Sequence, residues 1–268
     1  MAATELETVL AHDSMPTVQY LLNGDLESLR AAIRNTSAQE DAMQWVASHV
    51  VLGAALRLRA SRVGDDERLQ MYMEAVRAFD VALTVCYQHH ASEDFRAQAM
   101  ASAKFSARPD VCTTRPDGVQ LVVDATTVPV TEGNALMARA IRVFRDACTT
   151  SNRKTALRTW FVGMSNLGCT LTLLGRRTPG VAGIATLEEA VDVLQDALKV
   201  PSTEDMSEER ASTQVNLAEA FQSLAEKGMP AEKLRYIEQA ADWMAAALCH
   251  FAPPHCRWLL HVEPRSLV

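Results

Sequence analysis

Residues that interrupt helices are scarce in this sequence. Among its 268 residues there are only 11 glycines, 10 prolines and 6% aromatic residues. The chain is therefore poor in turn residues, while its 48% of apolar residues is enough for a continuous core. This composition predicts an all-α protein.

Long apolar runs and an excess of positive charge are also missing. The sequence has no run of eighteen apolar residues, and residues 1–7 lack the basic start and apolar core of a signal peptide. The net charge of −7 and the pI near 5.5 disfavour a surface of clustered Lys and Arg that neutralises phosphates. We expect an intracellular, cytoplasmic protein with no membrane partner, and a nucleic-acid partner is the minority interpretation.

Catalytic motifs are a third absence. The sequence contains no Gly-x-Ser-x-Gly, no phosphate-binding loop and no dinucleotide fingerprint. Ser and Cys residues occur, but no pattern places a base beside them. We therefore expect no enzyme activity, no catalytic residue and no cofactor.

Possible metal ligands cluster only near the C-terminus. They are Cys249, His250, His255, Cys256 and His261. Structural zinc sites use paired ligands two to four residues apart, whereas these pairs are adjacent in sequence, so their side chains point apart. We favour free thiols and surface imidazoles over a metal site, and we keep a metal-dependent activity here as the second alternative function. The remaining cysteines are scattered at helix-face positions typical of buried free thiols.

A ten-residue pattern recurs four times without a gap. Each copy has Ala at its second and ninth places, a large apolar residue at the sixth, and Leu or Cys at the tenth. The copies are residues 74–83, 139–148, 189–198 and 239–248. This spacing puts small, large and small side chains on one helical stripe, so we interpret the pattern as the second helix of a repeated hairpin.

A second pattern precedes three of these copies by the same distance. Residues 45–56, 160–171 and 210–221 align, and in each case the Leu before the small residue lies 23 positions before the second-place Ala. The missing copy is predicted at 95–105, with additional residues inserted at 108–133. The β-branched segment 118–130 predicts an extended conformation, which leaves a partner-contacting flap and a floppy excursion as equal alternatives.

The order of an aromatic residue, Leu-Gly, and then Ala, a large apolar residue and Ala resembles the tetratricopeptide repeat. The steps Leu52-Gly53, Leu167-Gly168 and Leu217-Ala218 are similar to the family's Leu-Gly step, but the units are 50 residues long instead of about 34. The resemblance implies a right-handed α-solenoid of four antiparallel hairpins. It also implies a groove, lined by the first helices, that binds a peptide or a partner helix.

The small residue of each step has a physical explanation. Paired helices approach to about 8 to 10 Å only where small side chains meet. We therefore expect Gly53, Gly168 and Ala218 to lie opposite the second-place or ninth-place alanines of their hairpins, which are Ala75 or Ala82, Ala190 or Ala197, and Ala240 or Ala247.

These patterns divide the chain into three parts. Residues 1–36 match no repeat and would form an N-terminal helical cap. Residues 37–251 would form the repeats, at 37–90, 91–152, 153–203 and 204–251. Residues 252–268 would be a C-terminal tail, whose apolar Trp258, Leu259 and Leu260 we expect to fold back on the final repeat.

Candidate partner-binding residues lie around the Leu-Gly step. Asn166 and Asn216 directly precede it in two repeats, where the resemblance implies an Asn that hydrogen-bonds a ligand backbone; the alternative is an Asn that holds the neighbouring repeat. Ser165, Cys169 and Glu219 complete the candidate set. We expect a non-catalytic scaffold or adaptor that binds a protein or peptide within a multi-protein complex, and an RNA- or nucleoprotein-associated subunit is the first alternative.

Overall fold

All regular elements that the structure describes are helices. The computed structural model describes residues 24–35, 37, 41–90, 116–151, 156–201 and 206–261. The helices are α1 Leu26–Arg34, α2 Ala42–Ala60, α3 Asp65–His90, α4 Pro116–Thr127, α5 Val130–Thr150, α6 Leu157–Arg177, α7 Gly180–Leu198, α8 Ser207–Lys227, α9 Pro230–Phe251 and α10 Pro254–Arg257, followed by a 3-10 turn at Trp258–His261. The prediction of an all-α protein is confirmed. None of the helices in these ranges is long and apolar enough to cross a membrane.

The chain divides into two compact units. We call Met1–His90 with Ile237–Val268 the terminal unit, and Ala91–Tyr236 the central unit. In the central unit α4 packs against α5 and α6 against α7; α5 also contacts α6, and α8 contacts both α6 and α7. Each helix pair of the central unit thus packs against the pair that is next in sequence.

The predicted stripe of the second helices is buried. Its second-place, sixth-place and ninth-place side chains are at most 6% exposed in all four copies: Ala75, Phe79, Ala82, Ala140, Phe144, Ala147, Ala190, Leu194, Ala197, Ala240, Met244 and Ala247. Burial of this one stripe, rather than intrinsic propensity, stabilises each helix in its pair.

The glycines of the first helices are close-packing points, but they face a different residue from the one expected. A Cβ on Gly53 would lie 2.4 Å from the Phe79 ring, and one on Gly168 would lie 2.4 Å from Cγ of Leu194. The sixth-place residue, not an alanine, therefore fills the space above each glycine. The expectation for Ala218 pairs residues of different units and stays a prediction.

The interpretation of segment 118–130 as extended is wrong. Residues Pro116–Thr127 form α4, the first helix of the second hairpin. Gly118 lies under Phe144, and the separation of 26 residues is the same as from Gly53 to Phe79 and from Gly168 to Leu194. This helix is part of the core, because Val122 and Ala125 are at most 2% exposed. Its deletion would therefore destabilise the fold.

The terminal unit joins the first hairpin to the C-terminal part of the chain. The Arg57 guanidinium donates to Asp242 at 2.7 Å and to the Leu260 carbonyl at 3.4 Å, and the Cys86 thiol donates to the Phe251 carbonyl at 3.7 Å. A linear stack joins only neighbouring repeats, so these contacts were not expected. The apolar tail at Trp258–His261 packs on α2 of the first hairpin, and its expected contact with the final repeat stays a prediction.

Some predictions lie outside the described residues. They concern the first part of the cap at 1–23, the helix predicted at 95–105, and the end of the tail at 262–268. The cap is described only from Gly24 onward, where α1 packs against α2.

Candidate partner-binding site

The five candidate residues lie on two neighbouring helices of the central unit. Ser165, Asn166 and Cys169 are on α6, and Asn216 and Glu219 are on α8. The two helices are the first helices of consecutive repeats and contact each other directly. The sequence therefore identified two faces that the fold brings together.

Ser165 and Asn216 form part of a hydrogen-bonded interface. The Asn216 side-chain amide donates to the Ser165 hydroxyl at 3.4 Å, and a second hydrogen bond joins the Thr213 and Ser165 hydroxyls at 3.0 Å. Asn216 is only 6% exposed and Thr213 is fully buried. Because buried polar groups need partners, these bonds fix the contact of α8 on α6.

Cys169 and Glu219 are neighbours on the same interface. Cys169 is 7% exposed, and burial, with the negative charge of Glu219, raises the pKa of its thiol far above the ordinary value. A thiol is nucleophilic only as the thiolate. Cys169 is therefore a packing residue in the folded chain and does not supply a reactive sulfur.

Asn166 and Glu219 are the candidates with accessible side chains. Both are half-buried, as is Ser165. The carbonyl of Asn166 accepts a hydrogen bond from the Thr170 hydroxyl at 2.7 Å, whereas its side-chain amide is not part of the Ser165 interface. Both side chains are therefore partly exposed on the α6 and α8 helices.

An ion pair at one end of this interface escaped the sequence analysis. Arg158 of α6 donates to Glu209 of α8 at 2.9 Å, and the Glu209 side chain is only 7% exposed. The partners are 51 residues apart, close to the repeat length. That near-equality is the signal that could have found Arg158, Glu209 and Thr213, since contacts between equivalent helices join residues about one repeat apart.

A polar groove of the central unit lies along α4 and α5. Its volume is about 630 Å³ and its charged and polar lining includes Asp117, Gln120, Asp124, Arg139, Arg142 and Asp146. Arg139 is the first residue of its ten-residue pattern. The equivalent residue of the next pair, Glu189 of α7, forms an ion pair with Arg145 of α5. The groove therefore includes the pattern position that, in α7, contacts the preceding second helix.

The Cys and His residues near the C-terminus do not form a described metal site. Among the described residues, no group of three or more His, Cys, Asp or Glu side chains has the arrangement needed to hold a metal ion. Cys249 and Cys256 are free, and each thiol donates to a nearby backbone carbonyl, at 3.4 Å and 3.2 Å.

Comparisons with protein-family models, with curated protein sequences and with solved structures find no match to this chain.

Proposed function

We propose that the chain is a non-catalytic scaffold or adaptor with tetratricopeptide-like repeats, which binds a partner protein along the face of its first helices. The observation that carries this proposal is the direct contact of α6 with α8. Because first helices of consecutive repeats are neighbours, their free sides form one surface instead of separate patches.

The solenoid is proposed for the central unit. Its helix pairs follow one another in sequence and contact their neighbours, as repeats of a solenoid do. In the proposed arrangement, Asn166 and Glu219 border the groove, while Ser165, Asn216 and Cys169 hold adjacent repeats together. A partner peptide or helix would then contact the first two and leave the interface intact.

The chemistry of this face fits protein binding better than catalysis. Glu219 supplies a carboxylate and Asn166 an amide, which together can bind a basic side chain and a peptide backbone. Removal of these groups should weaken partner binding by roughly tenfold, which corresponds to the loss of one hydrogen bond to a charged group.

Affinity capture with mass spectrometry tests the proposal. The wild-type chain is compared with an Asn166→Ala, Glu219→Gln variant and with a control, Gln88→Ala, at an exposed position on α3. We expect a protein captured by the wild type and control to be depleted with the double variant, with equal thermal melting of all three. Equal capture by all three chains would reject this face as the binding site, and turnover of a substrate by purified chain would reject the scaffold function.

A further inference from the structure

The groove along α4 and α5 is the polar member of a set of equivalent helix faces. The glycines that lie under the sixth-place residues align α4 with α2 and α6. At two positions of this alignment the other pairs have residues that are at most 6% exposed: Leu52 and Leu167 at the first position, and Ala55 and Thr170 at the second. In α4 these positions are Asp117 and Gln120, and both are exposed. The first helix of the second pair therefore presents polar side chains on a face that is buried in α2 and α6.

Two other pairs are contacted by a preceding helix, α2 by α1 and α6 by α5. In both cases an ion pair forms at the first place of the ten-residue pattern. Arg30 of α1 pairs with Glu74, and Arg145 of α5 pairs with Glu189. Both glutamates are half-buried, whereas the first-place residue of α5, Arg139, is exposed. A helix at the equivalent position on α4 and α5 would thus need an acidic residue where α1 and α5 carry an arginine.

The two walls of the groove differ in charge. The α4 wall has Asp117 and Asp124, which are about two helical turns apart. The α5 wall has Arg139 and Arg142, with Asp146 at the end of the groove where Asp117 lies. A partner complementary to both walls has basic side chains facing the aspartates and acidic side chains facing the two arginines. On a single helix these two sets of side chains would form two adjacent edges.

We propose that this groove is a second binding surface, which binds a helix of a partner protein with basic side chains along one edge and acidic side chains along the adjacent edge. Leu121 and Val143 also line the groove and are half-buried. They would contact an apolar residue that lies between the two charged edges of the partner. The groove lies on other helices than the α6–α8 face, so this inference does not depend on the proposed function.

The complex with such a helix should be weak and reversible. The groove is lined mostly by polar side chains, and each exposed ion pair contributes little to affinity. Small polar interfaces are typical of transient complexes. We expect a Kd of about 10 µM to 1 mM, and binding should weaken as the salt concentration rises because exposed charges are screened.

Fluorescence anisotropy of two labelled peptides with the full chain tests the proposal. The patterned peptide is an alanine-rich helix of about 20 residues, with glutamates on one edge, lysines on the adjacent edge and leucines between them. The scrambled peptide has the same composition with the charges on all sides. The wild type should bind the patterned peptide roughly tenfold more tightly. Arg139→Glu should remove this preference, whereas Arg176→Glu, the same change of charge at an exposed position of α6, should keep it.

Three results overturn the proposal. They are equal binding of the two peptides, an unchanged preference in Arg139→Glu, and no binding of the patterned peptide up to about 1 mM. The Asn166→Ala, Glu219→Gln variant should bind the patterned peptide as the wild type does. A loss of binding in that variant would assign the peptide to the α6–α8 face and reject the groove.

Photo-cross-linking locates the bound peptide independently. A benzophenone side chain in place of Gln120, which lines the groove, should link to the patterned peptide much more than one in place of Arg176. Equal linkage from both positions would contradict binding in the groove. Inorganic phosphate that displaces the peptide more than chloride of equal ionic strength would assign Arg139 and Arg142 to a small-anion site and reject the helix.

Discussion

Replacement of Gly168 by alanine should destabilise the chain because α6 and α7 touch at this residue. The added Cβ would lie 2.4 Å from Cγ and 2.6 Å from Cδ2 of Leu194, a side chain with no exposed surface. Real Cβ atoms do not approach so closely, so Leu194 or the helix itself must move. The side chain has no free space to enter in a close-packed core.

The magnitude follows from two opposing terms. Overpacking of a core costs about 1 to 3 kcal/mol, whereas Ala in place of Gly inside a helix stabilises it by about 0.5 to 1 kcal/mol. We expect a net loss of about 1 kcal/mol, within limits of about 0 and 2.5 kcal/mol, measured as a lower urea midpoint. Gly163, on the same helix, is the matched control, because its Cβ would meet only the Cys148 sulfur at 3.1 Å. Gly163→Ala should cost less than Gly168→Ala, because only one side-chain atom has to move by a few tenths of an ångström.

A double-mutant cycle identifies Leu194 as the cause. In a Leu194→Ala background the obstacle is gone, so Gly168→Ala should change from destabilising to stabilising. The two substitutions would then be strongly non-additive, as expected for residues in contact. Additive effects, or equal effects at Gly163 and Gly168, would refute the assignment of this glycine to the helix crossing.

Three further predictions concern buried polar groups. Burial lowers the pKa of His49 below the ordinary 6.5, so its contribution to stability is present above that pH and is lost as the pH falls. In urea melts at about pH 7.5 and 5.5, His49→Gln should reduce the difference in unfolding free energy between the two pH values. An unchanged pH dependence would contradict this prediction. Arg57→Ala should cost about 1 to 3 kcal/mol because the buried side chain loses its packing and its hydrogen bonds to Asp242 and the Leu260 carbonyl. Arg57→Met should cost less because it loses only the hydrogen bonds and keeps the packing; equal losses in thermal melts would refute this. Burial raises the pKa values of Cys86 and Cys256 to about 12, so both thiols should react with a disulfide reagent only after unfolding, and rapid labelling in native buffer, followed by peptide mass spectrometry, would disprove their burial.

The repeat was predictable where both helices of a hairpin carry landmarks. The 23-residue separation placed the small residues of α2 and α6 opposite their second helices, and the packing of Phe79 and Leu194 on these glycines agrees with it. The residue opposite each glycine was predicted wrongly, because we expected a small alanine to face it. In the fold the large residue fits into the space that the glycine leaves.

The first helix of the second hairpin was missed because the β-branched composition of segment 118–130 was given more weight than its position in the repeat. Val119, Val122 and Val123 favour strands only weakly, and tertiary packing overrides such propensities. Gly118, Val122 and Ala125 form a stripe at spacings of four and three that faces α5. Pro116, at the first position of α4, is also a typical start of a helix. A search for a glycine 26 residues before Phe144 would have found the helix.

The candidate site was predictable only as two separate helix faces. Sequence placed the candidates on first helices, but it could not show that Asn216 is buried against Ser165, since that contact depends on how α8 packs on α6. The same is true of Arg158 with Glu209. Contacts between repeats join residues about 50 positions apart, and a pattern analysis within one repeat does not detect them.

Helix α1 occupies the place of a second helix in the repeat register. Arg30 of α1 pairs with Glu74, and Arg145 of α5 pairs with Glu189; both pairs are 44 residues apart. Glu74 and Glu189 are the first residues of their ten-residue patterns. The part of the cap that the structure describes therefore corresponds to a degenerate second helix, which the sequence patterns did not reveal.

Charge reversal tests this correspondence. Arg30→Glu should lower stability, and Glu74→Arg in the same chain should restore it; the same holds for Arg145→Glu with Glu189→Arg. Exposed pairs contribute about 0.2 to 1 kcal/mol, and the first pair should couple more strongly because its side chains are 29% and 33% exposed, against 49% and 44% for the second. Double-mutant cycles in urea measure both coupling energies. If the first pair showed no coupling while the second did, α1 would not hold the position of a repeat helix, and the equal spacing of 44 residues would be a coincidence.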